Sequence, residues 1–227
     1  MSIAENVRSL QARIEGAAKR SGRSLKDITL VAVTKGAALP AVIEAGEAGV
    51  CVFAENRIQE AQDKVAQVPA EWHLVGHLQT NKINAALGLF SLIQSVDSAR
   101  LAEKINVAAL ALGKPASVLL EINISGEESK YGFAPEEIYG AAAAIKPLSH
   151  VRVLGLMGIA PNTEDPEARR ASFKKLRNIF SVCKSMKGEN FEMKHLSMGM
   201  SDDFEIAIEE GSTMVRVGRA IFGERKA

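Results

Sequence analysis

Eight short apolar runs, rich in Val, Ile and Leu, alternate along this chain with helix-like segments. No other feature restricts its fold as much. The runs are Ile28–Lys35, Val50–Asn56, Trp72–His77, Leu92–Asp97, Ser117–Asn123, Val151–Ile159, Met193–Met198 and Met214–Gly218. Between them lie helix candidates at Leu39–Ala48, Ile58–Gln67, Asn81–Leu87, Ala99–Leu112, Pro135–Ile145, Pro166–Met186 and Asp202–Glu210. Near-continuous apolar strands separated by helices indicate a parallel sheet covered on both faces. Eight of them in 227 residues predict an α/β fold, a single-domain (β/α)8 TIM barrel over residues 1–227. The competing architecture is an open doubly wound sheet, which usually has fewer strands and a Gly-rich first turn if it binds a dinucleotide. Here that turn reads Lys35-Gly36-Ala37-Ala38-Leu39-Pro40, which is not GxGxxG.

Ile3, Val7, Leu10, Ile14 and Ala17 or Ala18 recur at helical spacing. They predict an extra N-terminal helix, ending near Ser21-Gly22, that packs on the barrel. No helix is expected after the eighth run and the turn that follows it, with only Glu224 to Ala227 beyond Gly223. The first helix would cover that gap, because barrel strands one and eight are neighbours.

Composition narrows the function classes. Hydrophobic residues at 47% exclude wholesale disorder. A formal net charge of +1 supplies no global field for a polyanion, so no nucleic-acid partner is expected. The nearest basic cluster, Arg169, Arg170, Lys174, Lys175 and Arg177, reads as the solvated side of a helix. The longest charge-free stretch, Ile83 to Val96, is too short and polar to span a bilayer. No signal core opens the chain, so a cytoplasmic protein is expected. Cys51 and Cys183 form no CxxC pattern and predict reduced thiols, a single disulfide remaining open. Four histidines, His73, His77, His150 and His195, show no metal spacing; His73 and His150 read as structural histidines, and His77 and His195 could line the mouth but are not counted in the site.

The strand ends carry the chemistry. Successive runs finish in Lys35, Asn56, His77, Asp97 and Asn123, with Ser197 near the end of the seventh. In a (β/α)8 barrel these ends converge on the face that holds active sites. Val31, Val33 and Lys35 share one parity and so one face of their strand. If that face is the interior, the ammonium enters a partly desolvated space. Desolvation and cationic neighbours lower a lysine pKa from its ordinary value of about 10.4, and the neutral amine can attack a carbonyl to give a Schiff base. The alternative is a lysine that leads out of the rim to solvent.

Ser197-Met198-Gly199-Met200-Ser201-Asp202 joins the seventh strand to a helix, and Gly218 turns the chain after the eighth. The loops after strands seven and eight are the usual phosphate site of this fold. Ser201 and Gly218 fit that role, although Ser201-Asp202 also reads as a plain helix N-cap. Arg216 has the parity of Met214 and Gly218 and points the same way. It needs an anion or an acceptor, which a strand-end carboxylate such as Glu121 could equally supply. The implied ligand carries a carbonyl at one end and a phosphate at the other: pyridoxal 5′-phosphate, or a phosphorylated sugar.

These residues resemble the pyridoxal phosphate homeostasis proteins, single-domain relatives of the alanine racemase barrel. The resemblance runs from about Ile28 to Gly223. It is carried by Leu30–Lys35, Trp72–Lys82, Ser125–Gly132, Gly155-Leu156-Met157, Leu196–Phe204 and Ala207–Arg216. It implies that Lys35 holds pyridoxal phosphate as an internal aldimine, and that Ser201 and the Gly218 turn bind its phosphate. Arg216 would approach the pyridine nitrogen and Asn56 would sit close by. The implied role is to bind, buffer or deliver the cofactor, with pyridoxal-phosphate-dependent apoenzymes as possible receivers. The chain departs from the family at Ala54-Glu55-Asn56-Arg57, where Gly-Glu-Asn-Tyr is frequent. Arg219 stands where threonine is common, and Thr34 where serine is.

An arginine at the pyridine nitrogen keeps it unprotonated and weakens the cofactor as an electron sink. A racemase also needs a second base, which alanine racemase takes from a tyrosine outside the barrel. This chain's tyrosines, Tyr131 and Tyr139, lie mid-chain, so a non-catalytic monomer is expected. The rival is a Schiff-base enzyme, racemase-like or a sugar-phosphate aldolase using Glu121 or Asp97. A protein-binding scaffold with a vestigial site is a third reading.

Overall fold

A computed structural model describes residues 2–127, 130–186 and 188–223. Glu128 and Ser129 of the Ser125–Gly132 motif, and Glu224 to Ala227, lie outside the described residues.

The chain opens with α1 (Ile3–Arg20), followed by β1 (Thr29–Val33), α2 (Leu39–Glu47), β2 (Val52–Glu55), α3 (Ile58–Val65) and β3 (Glu71–Leu74). Next come α4 (Ile83–Leu89), β4 (Leu92–Val96), α5 (Ala99–Ala111), β5 (Ala116–Ile122) and α6 (Ile138–Ile145). The last third holds β6 (Val151–Gly158), α7 (Pro166–Lys184), β7 (Phe191–Ser197), α8 (Phe204–Glu209), β8 (Met214–Val217) and α9 (Arg219–Phe222). The strands close a parallel barrel in sequence order, β8 pairing β1 through Val31 and Arg216. This is the α/β barrel that the alternating runs predict.

Strand parity sorts the side chains into two populations. Val31, Val52, Ala54, Leu92, Leu119, Met157 and Met214 pack together inside the barrel. The opposite parity, such as Ala32, Phe53, Leu74, Leu120 and Leu156, packs outward against the helices. Bulges in β4 and β6 interrupt strict alternation, so Ile93 and Val96 both face the helices.

Helix α1 starts in a capping box between Ser2 and Glu5 and ends at Ser21, followed by Gly22 in a left-handed turn (φ 69°). Its buried Val7, Leu10 and Ile14 each contribute about 1.5–3 kcal/mol by leaving water. They seat it against α2, α8 and α9, and Asn6 Nδ2 donates to Ile221 O at 2.8 Å. The sequence reading missed α9. Its single turn, Arg219–Phe222, directly follows Gly218 where the sequence predicts only a turn after the eighth strand, and at that length it has no periodicity to detect. Several segments are shorter than expected: β1 stops at Val33 and β3 at Leu74, which puts Lys35 and His77 past their strands, and α4 starts at Ile83 after a 3-10 turn. Pro135–Glu137 forms a 3-10 turn ahead of α6, and α8 starts only at Phe204.

The basic cluster on α7 is only partly solvated. Arg170 reaches Glu209 and Glu210, both at 2.8 Å, and ties α7 to α8. Lys174 and Lys175 are exposed. Both cysteines are free, Cys51 exposed and Cys183 buried. Burial pushes the Cys183 thiol up to about 11.

Candidate functional site

The C-terminal ends of the strands surround a cavity of about 610 Å³, within the usual range for a small-molecule site. Lys35, Asn56, Ser201, Arg216 and Gly218 all line it. The structure therefore brings together the five residues read as a cofactor site, whereas the strand-end residues His77, Asp97 and Asn123 and the carboxylate Glu121 lie outside this lining.

Lys35 stands in a turn just past β1, where Ala37 N donates to Thr34 O at 2.9 Å. Half-buried, its ammonium has no hydrogen-bond partner among the described residues. The turn is held from below by a buried ion pair that the sequence reading did not find. Lys64 Nζ lies 2.5 Å from Glu55 Oε1 and 2.7 Å from Thr34 O. Thr34 Oγ1 donates to Glu55 Oε1 at 2.6 Å, and Asn56 N donates to Glu55 Oε2 at 3.1 Å. One carboxylate thus fixes the backbone under both Lys35 and Asn56. A serine hydroxyl would make the same bond as Thr34, so the Thr34 departure is chemically neutral here. A Cβ on Gly76 would sit 2.3 Å from Asn56 O. Only glycine allows β2 and β3 to end this close, and this closeness sets the position of Asn56.

Across the cavity, Gly199 takes φ 93°, and a Cβ there would meet Ala207 Cβ at 2.5 Å. The chain then turns through Ser201 and Asp202. The N-cap of α8 is Asp203, not Ser201 or Asp202; its Oδ1 accepts from Met200 N at 2.6 Å. That leaves the Ser201 hydroxyl without a partner among the described residues. The Arg219 guanidinium pairs with the Asp202 carboxylate, and so joins the turn after β7 to the turn after β8. Its charge serves that clip.

Arg216 is 4% exposed. It makes no direct ion pair with Glu121. Its Nη1 donates to Ser197 Oγ at 2.7 Å and its Nη2 to Gly158 O at 3.0 Å. Burial pushes the guanidinium down to about 10, opposed by Glu121 and Asp203 acting through space. It remains a cation at neutral pH. Glu121 is itself driven up to about 7 by burial, against the pull of Arg216 and with a push from Asp97. Beyond Ser197 the polar contacts continue to Gln94, whose role the sequence did not show, and to His73, a buried histidine with partners on both ring nitrogens, as its structural reading expects. A lysine on the apolar face of α3 and a glutamine inside an apolar strand were the available signals.

The other histidines stay out of the cavity lining. His77 bonds Asp97 at 2.9 Å under a stacked Tyr131 ring. His195 lies toward His73 and Glu71 rather than the mouth, and burial lowers its pKa.

Fold and site together define a closed barrel with a free lysine amine at the end of β1 and polar turns after β7 and β8. The chain matches the family described as alanine racemase, N-terminal domain, over residues 2–226. It is 40% identical over 227 residues to the pyridoxal phosphate homeostasis protein of Pseudomonas aeruginosa, covering 99% of this chain and 96% of that one. The Escherichia coli K12 protein of the same name is also 40% identical, over 98% of this chain and 97% of that one. Among solved structures, PipY of Synechococcus elongatus with PLP bound superposes with a TM-score of 0.84 at 32% identity, covering 98% of this chain and all (100%) of that one. Alanine racemase of Clostridium difficile shares the fold, with a TM-score of 0.71 at 19% identity; the match covers 98% of this chain and 57% of that one. The chain belongs to the pyridoxal phosphate homeostasis protein family, built on the alanine racemase N-terminal barrel.

Proposed function

We propose that this protein binds pyridoxal 5′-phosphate and serves its homeostasis as a holder of the cofactor, without a catalytic cycle of its own. One observation carries the reading: a single cavity presents the unpaired Lys35 amine and the Ser201 and Gly218 turns. An amine and a phosphate-sized polar turn are the two features that an aldehyde-bearing phosphate ester requires. The cavity also has the volume for it. Relatives that carry the homeostasis name, and PipY with PLP bound, support the same ligand.

In this reading Lys35 would supply the amine that condenses with the cofactor's aldehyde, the carbonyl oxygen leaving as water. Ser201 and the Gly218 turn would hold the phosphate, with Asn56 and Arg216 as the residues that would hold the ring. Bound pyridoxal phosphate supplies an electron sink for carbanion chemistry. A cationic Arg216 at the ring nitrogen opposes protonation there and weakens that sink. This favours storage and transfer over turnover. The chain would act as one cofactor-binding unit over residues 1–227, as a cytoplasmic monomer, with pyridoxal-phosphate-dependent apoenzymes as receivers.

Lys35→Ala tests the assignment. Phosphate contacts are charge-assisted, worth about 1.5–3 kcal/mol each, so the variant should retain pyridoxal phosphate in equilibrium dialysis while losing the visible band of the lysine adduct. Complete loss of binding would show that the phosphate turns are not the main anchor.

A further inference from the structure

The contacts behind Arg216 form one chain with one direction. Ser197 Oγ accepts from Arg216 Nη1 at 2.7 Å, so its own proton goes to Gln94 Oε1 at 2.6 Å. Gln94 then presents its amide N–H to His73 Nδ1 at 2.9 Å. With Nδ1 accepting, the ring proton lies on Nε2 and is donated to Glu71 Oε1 at 3.0 Å. Every link donates away from the mouth. The chain crosses the barrel interior from the cavity to the half-exposed Glu71 carboxylate at the start of β3.

Ser197, Gln94 and His73 are each 0% exposed, so no water competes for their hydrogen bonds. In such surroundings a reversed link leaves a buried donor without an acceptor. Gln94 has its donor and acceptor on opposite sides of the chain, so its orientation sets the direction of the others. Among the described residues the guanidinium at the other end is held by Ser197 and Gly158, and its remaining N–H groups are those left for a ligand.

We propose that Gln94 is a positioning residue: through Ser197 it fixes the plane and the free donors of Arg216 toward the bound cofactor. The proposal rests on the pyridoxal phosphate reading of the cavity and adds the element that orients its cation.

The test is a visible-absorbance titration of the parent, Gln94→Leu and Gln94→Glu with pyridoxal phosphate, beside a thermal melt of each. Gln94→Leu removes the acceptor of Ser197 and should weaken binding about tenfold, the loss of roughly one well-aligned hydrogen bond to a charged group. Gln94→Glu keeps that acceptor, and His73 meets it by holding a proton on both nitrogens. It should retain the parent's affinity even where its melt is lower. A purely structural role predicts the reverse order, because a buried carboxylate disturbs a core more than a leucine does. Should Gln94→Leu fail to fold, Ser197→Ala replaces it, with the same expected loss. Parent-like affinity in Gln94→Leu or Ser197→Ala, or an equal loss in Gln94→Glu, would overturn the proposal. Failure of the parent itself to bind would instead overturn the reading of the cavity.

Discussion

Beneath Lys35 and Asn56 the barrel buries a full ion pair; Arg216, on the other side, hydrogen-bonds only neutral groups, with carboxyls acting on it through space. On the first side Lys64 and Glu55 satisfy each other and clamp the backbone of both strand ends. The lysine that faces the cavity takes no part in that compensation. On the second side the cation is itself in the cavity wall, held by a hydroxyl and a carbonyl. Its charge is not consumed by a hydrogen-bonded carboxylate. The two sides thus differ in what they leave open: the Lys35 amine has no partner among the described residues, whereas Arg216 is anchored through two of its nitrogens and keeps only its remaining N–H groups.

The comparison breaks first at the ion pair. Lys64→Met leaves the Glu55 carboxylate buried without a cation and should cost about 3–5 kcal/mol in urea denaturation. Glu55→Leu combined with Lys64→Met should recover part of that loss, because no charge then remains buried. A cost near zero for the single variant would mean that water reaches Glu55.

Glu121 sharpens the other side. Its folded value, about 7, lies above the ordinary 4.5, so the folded protein holds a proton that the unfolded chain releases. That contribution is present below the unfolded value and is lost as pH rises through the folded one. Glu121→Gln carries no such charge. It should gain on the order of 3 kcal/mol relative to the parent between about pH 4 and about pH 8. A pH-independent difference would place the Glu121 carboxyl in water.

The smallest effect lies away from the mouth, at Glu209. Bonds from Arg170, and then Arg20, hold its carboxyl below the ordinary range. Its stabilisation is present above the unfolded value and lost as pH falls through the folded one. Glu209→Gln should therefore cost at most about 1 kcal/mol near neutral pH, and nothing in strong acid. The same variant should leave pyridoxal phosphate binding unchanged, since Glu209 lies outside the cavity lining.

The barrel was legible because eight Val- and Ile-rich runs repeat a period that only a covered parallel sheet satisfies. The mouth was legible because Lys35 and Arg216 lie at or just past strand ends whose direction follows from parity, and Ser201 lies in the loop after the seventh strand, where this fold usually binds phosphate. The supporting residues were not. Lys64 reads as one more charge on a helix until α3 turns it onto Glu55, and Gln94 reads as a polar interruption until β7 brings Ser197 to it. Such partners are distant in sequence and meet only through the barrel's closure. The start of α8 differs for a local reason: Ser201, Asp202 and Asp203 are all good cap residues in sequence, and in the structure Asp203 stands at the N-cap position with its carboxylate turned back to Met200 N.

The most direct measurement is borohydride reduction of the protein incubated with pyridoxal phosphate, followed by peptide mass mapping. The account predicts a visible band bleached by reduction and the pyridoxyl mass on the peptide that holds Lys35. A protein that stays colourless and unlabelled, or a label on surface lysines with Lys35 unmodified, would contradict it.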